Sequence, residues 1–209
     1  AAAGRDVIEH LVSTSASIDQ LAEAADRLQE VAALLASMPR GKAYEGFSEA
    51  ANAGHLGEHG EELAVADPER YGFFDHSPFI GLANPLSPPI VFRHAPGRVV
   101  GTVTSGAAYE GPPGCVHGGY VAAAFDALLG AAQSMSGTQG MTARLVVDYR
   151  SPTPLGQPLV LEGEMTSHEG RKIFCAGWLH AGDRLCAEAE GLFISKAARD
   201  RGSRILAFG

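Results

Sequence analysis

The stretch GPPGCVHGGYVAAAFDALLGAAQ, residues 111–133, decides the fold. It opens with a loop, because Pro112 and Pro113 fix their own φ angles and disfavour the α region for the residue before each. After His117, about fourteen residues are apolar on every side of a helix and carry a single ionisable group, Asp126. We therefore predict a buried central helix in which the Asp126 carboxylate is paired, protonated or used in chemistry.

Short β-branched runs separated by turn residues flank this helix. Before it, residues 90–94 and 99–105 predict a hairpin around Pro96 and Gly97. After it, four more strands are predicted, at residues 142–150, 159–168, 172–181 and 185–196. This order is typical of an α+β fold in which one antiparallel sheet wraps around one long central helix.

The chain before these strands has a different character. Residues 17–38 place apolar side chains at a and d positions over about three heptads, with Ser17 as N-cap, and predict a helix that packs on the domain or on its own copy. Residues 40–75 lack periodicity and predict an irregular covering segment, with a helical turn near 57–66. We expect an N-terminal helical extension at 1–75, a domain at 76–197 and a C-terminal tail at 198–209.

Composition argues against several function classes. Residues 1–75 carry 14 acidic and 5 basic side chains, whereas residues 76–209 carry 10 and 11. Neutralised phosphates supply most of the affinity for nucleic acid, so an acidic chain without a basic stripe is not typical of a nucleic-acid-binding protein. No apolar run reaches the roughly 18 residues of a membrane span. We therefore expect neither a nucleic-acid partner nor a membrane span. The net charge of residues 76–209 is close to zero, which suits binding of an anionic small molecule.

Other chemistries lack their motifs. Three scattered cysteines do not make a disulfide framework, so we expect a reducing, cytoplasmic location. The pair His55 and His59 lacks the adjacent Glu of a His-Glu-x-x-His zinc site, and we expect no metal. Neither a Gly-x-Ser-x-Gly elbow nor a phosphate-loop or dinucleotide fingerprint is present, and we expect no cofactor.

Three motifs resemble the hotdog-fold thioesterases, in particular the phenylacetate-pathway branch close to the carboxyl-terminal modulator protein. They are GPPGCVHGGYVAAAFD at 111–126, MTARLVVDYRSPTPLG at 141–156 and EGRKIF at 169–174. The resemblance covers about residues 76–197. It implies a hotdog fold, hydrolysis of an acyl-CoA substrate without any cofactor beyond the coenzyme A of that substrate, and an active site between the subunits of a homodimer or a dimer of dimers.

The resemblance also implies residue roles. Asp126 matches the family's carboxylate, which activates water or attacks the thioester, and the Gly118 N–H matches the donor to the thioester carbonyl. Thr142 matches a hydroxyl that positions the water. Many family members have Asn or Gln six residues before the His, where this chain has Gly111. The role of that amide is therefore vacant or passes to His117.

The residues alone support a related hypothesis. A helix start offers unpaired N–H groups and a positive dipole end, and Gly118 and Gly119 let a substrate approach the backbone. Asp126 lies nine residues after His117, roughly 12–14 Å along a helix axis, so one helix cannot bring both to one carbonyl. We infer a homodimer in which Asp126 acts on a substrate held by the helix start of another copy.

Each candidate also has a purely structural alternative. Asp126 could pair with Arg144 across a dimer interface, His117 could merely cap the helix, and Thr142 could be an ordinary strand residue. A Cys/His nucleophile pair of Cys115 and His117 is disfavoured, because side chains two apart on a loop seldom meet in hydrogen-bond geometry.

Three cations are candidates for binding the phosphates of coenzyme A: Arg150, Arg171 and Lys172. The alternative interpretation is that these side chains lie at strand ends and are only solvated. Two other functions also stay open. One is a non-catalytic acyl-CoA-binding or regulatory protein, which the Gly111 position favours. The other is an enoyl-thioester hydratase, although no second carboxylate or His follows near His117 in sequence.

Overall fold

In a computed structural model of the chain, the structure describes residues 1–38, 78–79, 84–138 and 140–195. The covering segment predicted at 40–75, with its helical turn near 57–66, and the predicted tail at 198–209 lie outside the described residues.

In the described residues, six antiparallel strands form one sheet in the order β1-β2-β4-β5-β6-β3. They are β1 Val91–Ala95, β2 Arg98–Thr104, β3 Gly140–Tyr149, β4 Pro158–Glu169, β5 Lys172–Ala181 and β6 Arg184–Ser195. Each predicted strand is present, and no bound differs from the predicted one by more than two residues. The β3 strand lies at one edge of the sheet, and most of its residues are exposed or half-buried.

One long helix packs against this sheet and forms the core with it. Its side chains Phe125, Leu128 and Leu129 are fully buried, and the strands contribute Leu161, Ile173 and Phe193. The close approach depends on small residues in the sheet: a Cβ at Gly163 would lie 2.8 Å from Cγ of Leu128. The helix, here α3, spans Gly118–Ser134, and the α+β arrangement predicted from the sequence is confirmed.

The other face of α3 is open in the single chain. Its residues are small, namely Gly119, Ala122, Ala123, Asp126, Ala127 and Gly130, and all are exposed or half-buried. The prediction that Asp126 is buried is therefore wrong for one chain. Alanine and glycine are apolar, but they bury too little area to require a partner within the same chain.

Within residues 1–38, the described part of the N-terminal region, there are two helices: α1 Ala2–Ser13 and α2 Ile18–Ser37. The predicted helix is α2, and its capping box is formed by Ser17 and Gln20. The sequence pattern does not predict α1. No residue of α2 is buried in the described chain, so its packing on another copy stays a prediction. Among the described helices, none is long and apolar enough to cross a membrane.

Candidate active site at the central helix

The start of α3 is held by His117. This residue is the N-cap, and its Nδ1 accepts a hydrogen bond of 2.9 Å from the Gly119 N–H. The next two amides donate to the His117 carbonyl. The Gly118 N–H has no acceptor in the part of the chain that the structure describes. It is one of the orphan donors of a helix start, where the dipole is positive, so this end suits an oxygen that gains negative charge.

Tyr149, at the end of β3, fixes the same helix turn from the other side. Its hydroxyl donates to the Gly118 carbonyl oxygen at 2.7 Å. The peptide between Gly118 and Gly119 is thus held at both ends, since His117 binds its N–H and Tyr149 binds its C=O. The sequence did not identify Tyr149 as a site residue, because only its position at the end of a strand, before a turn, distinguishes it.

Further along α3, Asp126 meets Thr142. The Thr142 hydroxyl donates to Asp126 Oδ1 at 2.9 Å, and both side chains are exposed. The structure thus brings together two residues that the sequence separates by 16 positions. The alternative pairing of Asp126 with Arg144 across a dimer interface stays a prediction, because the structure contains a single chain.

Within one chain these two groups of residues are far apart. Gly118 and Asp126 both belong to α3, and eight residues of helix separate them by about 12 Å along the axis. We call the Gly118 end with His117 and Tyr149 the carbonyl end, and the pair Asp126 and Thr142 the carboxylate end. One thioester cannot contact both ends of the same chain.

The loop before α3 explains the glycine at position 111. A Cβ at Gly111 would lie 2.7 Å from the Cα of His117, which is closer than real Cβ contacts. Gly111 instead pairs through its N–H with the Cys115 carbonyl at 2.9 Å, and the Glu110 carboxylate accepts the Gly114 N–H at 2.6 Å. An Asn or Gln side chain at this position would therefore require the loop to move.

The three candidate cations lie in different surroundings. Arg150 forms an ion pair with Glu188, and its guanidinium lies 3.6 Å from Asp148. Arg171 donates from Nε to the Ser195 carbonyl at 3.0 Å, and Lys172 is exposed at the start of β5. Thus Arg150 already has carboxylate partners, whereas Arg171 and Lys172 have no ion pair among the described residues.

A cavity of about 380 Å³ lies elsewhere, between β3, β4, β5 and β6, with Arg144, Ser167 and Glu190 among its lining residues. Neither Asp126 nor Gly118 lines it. Within the described chain, no group of three or more His, Cys, Asp and Glu side chains could hold a metal ion.

The three cysteines are free thiols with different access to solvent. Cys115 is half-buried, whereas Cys175 and Cys186 are buried, and burial raises the pKa of Cys175 to about 12. Because the thiolate is the reactive form, we expect a disulfide reagent to label one thiol per native chain, at Cys115. Cys115→Ser should abolish this rapid labelling, and Cys186→Ser should leave it unchanged. Two or three fast-reacting thiols in the native protein would contradict the burial described here.

An antiparallel sheet packed on one long central helix defines the hotdog class of folds. The sequence model of the thioesterase superfamily matches residues 113–188, which span all of α3, β3, β4 and β5 and the first residues of β6. A solved structure described as a thioesterase superfamily protein is 40% identical to this chain. The match covers 86% of this chain and 96% of that one, with a TM-score of 0.56. The chain belongs to the thioesterase superfamily, and the resemblance predicted from its motifs is confirmed.

Two curated relatives have a more specific name. Acyl-coenzyme A thioesterase THEM4 of Xenopus laevis is 38% identical over 105 residues, which cover 49% of this chain and 47% of that protein. The protein of the same name from Bos taurus is 36% identical over 99 residues, which cover 46% and 40%. The match therefore spans less than half the length of each of these relatives.

Proposed function

We propose that the chain is an acyl-CoA thioesterase that hydrolyses an acyl-CoA thioester to a free carboxylic acid and coenzyme A. The observation that carries this proposal is the Asp126–Thr142 hydrogen bond of 2.9 Å on the open face of a helix whose first N–H, that of Gly118, has no acceptor among the described residues. The curated relatives are named acyl-coenzyme A thioesterases, which supports this choice of thioester.

In the proposed reaction, Asp126 takes a proton from water, which Thr142 helps to position. The water oxygen attacks the thioester carbonyl carbon, and the carbonyl oxygen becomes an oxyanion that the Gly118 N–H stabilises. Collapse of this intermediate breaks the C–S bond, and the coenzyme A sulfur takes the proton that Asp126 removed from water, which regenerates the carboxylate. If Asp126 attacks directly, a mixed anhydride forms and water hydrolyses it, with the same products.

We assign a second donor at the carbonyl end to His117. Its Nδ1 already accepts a hydrogen bond, so in the neutral imidazole the proton resides on Nε2. This N–H can take the role that a side-chain amide has in family members with Asn or Gln at the position of Gly111. Gly119, exposed beside it, lets the substrate approach the backbone of the helix start closely.

The working form in this proposal is a homodimer, or a dimer of such dimers. No other strand of the described residues pairs with the outer side of β3, and an unpaired edge is a template for pairing with another strand. Thr142 lies near one end of β3 and Tyr149 at the other. Antiparallel pairing of two copies about a two-fold axis brings the carboxylate end of one chain next to the carbonyl end of its partner. The open face of α3 points to the same interface.

The proposed phosphate contacts are assigned from charge, and the cofactor and location from the chemistry of the reaction and of the cysteines. Arg171 and Lys172 are the proposed contacts for the phosphates of coenzyme A, and Arg150 joins them only if its pair with Glu188 opens. Hydrolysis needs water alone, so we propose no cofactor. Three free cysteines favour a reducing cytoplasmic location.

Thiol release from a panel of acyl-CoA substrates, from acetyl to palmitoyl and including aromatic acids, tests this function. We expect release from at least one substrate. Tight acyl-CoA binding without release across the panel would instead favour a non-catalytic binding or regulatory protein. A change in the absorbance of an enoyl thioester without release would favour a hydratase.

A further inference from the structure

We propose that Glu9 of α1 is a positioning residue for the carbonyl end, an inference that rests on the proposed thioesterase function. Glu9 lies about one hundred residues before the site in sequence and does not reach the reacting atoms. It acts through the loop that leads into α3, which makes the N-terminal helix part of the machinery that holds the Gly118 N–H.

The first link is a two-point contact between a carboxylate and the backbone. Glu9 Oε1 accepts the Ala107 N–H at 2.8 Å, and Oε2 accepts the Ala108 N–H at 2.9 Å. These amides start a short 3-10 helix, Ala107–Tyr109, whose first N–H groups lack partners within the helix. Hydrogen bonds from backbone N–H groups to a carboxylate are charge-assisted and about twice as strong as neutral ones.

The sequence around Glu9 is fitted to this contact. A Cβ at Gly106 would lie 2.5 Å from Glu9 Oε2, so only glycine leaves room for the carboxylate in this position. On α1, a Cβ at Gly4 would lie 2.8 Å from the Pro85 Cβ, and the Arg5 guanidinium donates to the Asn84 carbonyl at 3.2 Å. The helix thus approaches the domain closely at Gly4 and hydrogen-bonds to it through Arg5 and Glu9.

The second link is Tyr109, which ends the short helix and is 7% exposed. Its carbonyl accepts the His117 N–H at 2.9 Å, and its hydroxyl donates to the Ser87 carbonyl at 2.9 Å. Its ring meets the Tyr120 ring edge to face, with centroids 5.0 Å apart. Burial raises the pKa of the Tyr109 phenol further above neutral pH.

The two links join Glu9 to the peptide that carries the proposed oxyanion donor. Glu9 fixes residues 107 and 108, Tyr109 follows directly, and Tyr109 holds the backbone of His117. The N–H of Gly118 belongs to the peptide that begins at His117. A shift of about 1 Å in such a group can cost on the order of 10²-fold in rate.

The experiment compares Glu9→Ala and Glu9→Gln with Asp6→Ala, which removes an exposed carboxylate from the same helix. We expect Glu9→Ala to lower kcat for acyl-CoA hydrolysis by about tenfold or more, with KM changed by less than about threefold, because the loss falls on the transition state. Glu9→Gln should recover part of kcat, because its amide oxygen can still accept one of the two bonds. Asp6→Ala should match the wild type.

Amide hydrogen exchange over residues 106–121 supplies a readout that does not depend on activity. Exchange there should be faster in Glu9→Ala and unchanged in Asp6→Ala. Wild-type kcat and exchange in Glu9→Ala would overturn the inference, as would an equal loss in Asp6→Ala. If the wild type releases thiol from no acyl-CoA, the thioesterase assignment fails. The exchange comparison then decides alone whether Glu9 holds this loop.

Discussion

Asp126→Asn is expected to lower kcat for thioester hydrolysis by roughly 10²–10⁴-fold, the range that a general base contributes. The asparagine keeps an oxygen that can accept the Thr142 hydroxyl, now 2.9 Å from the carboxylate, but it cannot take a proton from water or form an anhydride. Because the Asp126 side chain is exposed in the single chain, the substitution should leave the fold intact. Steady-state thiol release and a sizing measurement on the same sample check both statements.

The matched control is Asp183→Asn. This exposed carboxylate lies in the turn between β5 and β6 and belongs to neither end of the proposed site, so its loss should leave kcat at the wild-type level. Wild-type turnover in Asp126→Asn would remove Asp126 from the mechanism. Equal losses in the two variants would mean that net charge, and not the position of Asp126, governs the rate.

Gly118→Pro is expected to lower kcat by roughly 10²–10³-fold, the usual effect of removing one oxyanion donor. Proline deletes the N–H and is well tolerated at the first position of a helix, which Gly118 occupies. The residue before a proline must be extended, and His117 already is, with φ −60° and ψ 130°. The substitution therefore removes a donor at a backbone position that suits proline.

Gly118→Ala is the control for Gly118→Pro. It keeps the N–H and adds a Cβ 3.4 Å from the Tyr149 ring, which is the short end of ordinary van der Waals contact. We expect this variant to retain most of the wild-type kcat. If alanine and proline at position 118 reduce the rate equally, crowding against Tyr149 is the cause and the N–H is not the donor.

Much of the fold could be predicted because the local signals are strong. The strands have β-branched runs with turn residues between them, and α3 has a proline-rich loop before it and His-Gly-Gly at its start. The two ends of the site also follow from helix geometry, since the rise between Gly118 and Asp126 depends only on their spacing. These features depend on neighbours in sequence.

The parts that could not be predicted depend on tertiary contacts. Tyr149 contacts the start of α3 across 31 positions, and Glu9 contacts the loop before it across 98 positions. Nothing in the sequence next to either residue indicates its partner. The exposure of Asp126 was missed for a different reason. Alanine and glycine around it are counted as apolar, but a face built from them can stay open until a second chain covers it.

The most direct test of a site shared between subunits is complementation of Asp126→Ala by Gly118→Pro. The two variants are co-expressed with different tags, and the heterodimer is isolated by two affinity steps. It should recover about half of the wild-type rate per dimer, because one of its two sites receives Asp126 from one chain and the Gly118 N–H from the other. If the heterodimer is as inactive as either parent, both groups act within one chain, and the proposed shared site is wrong.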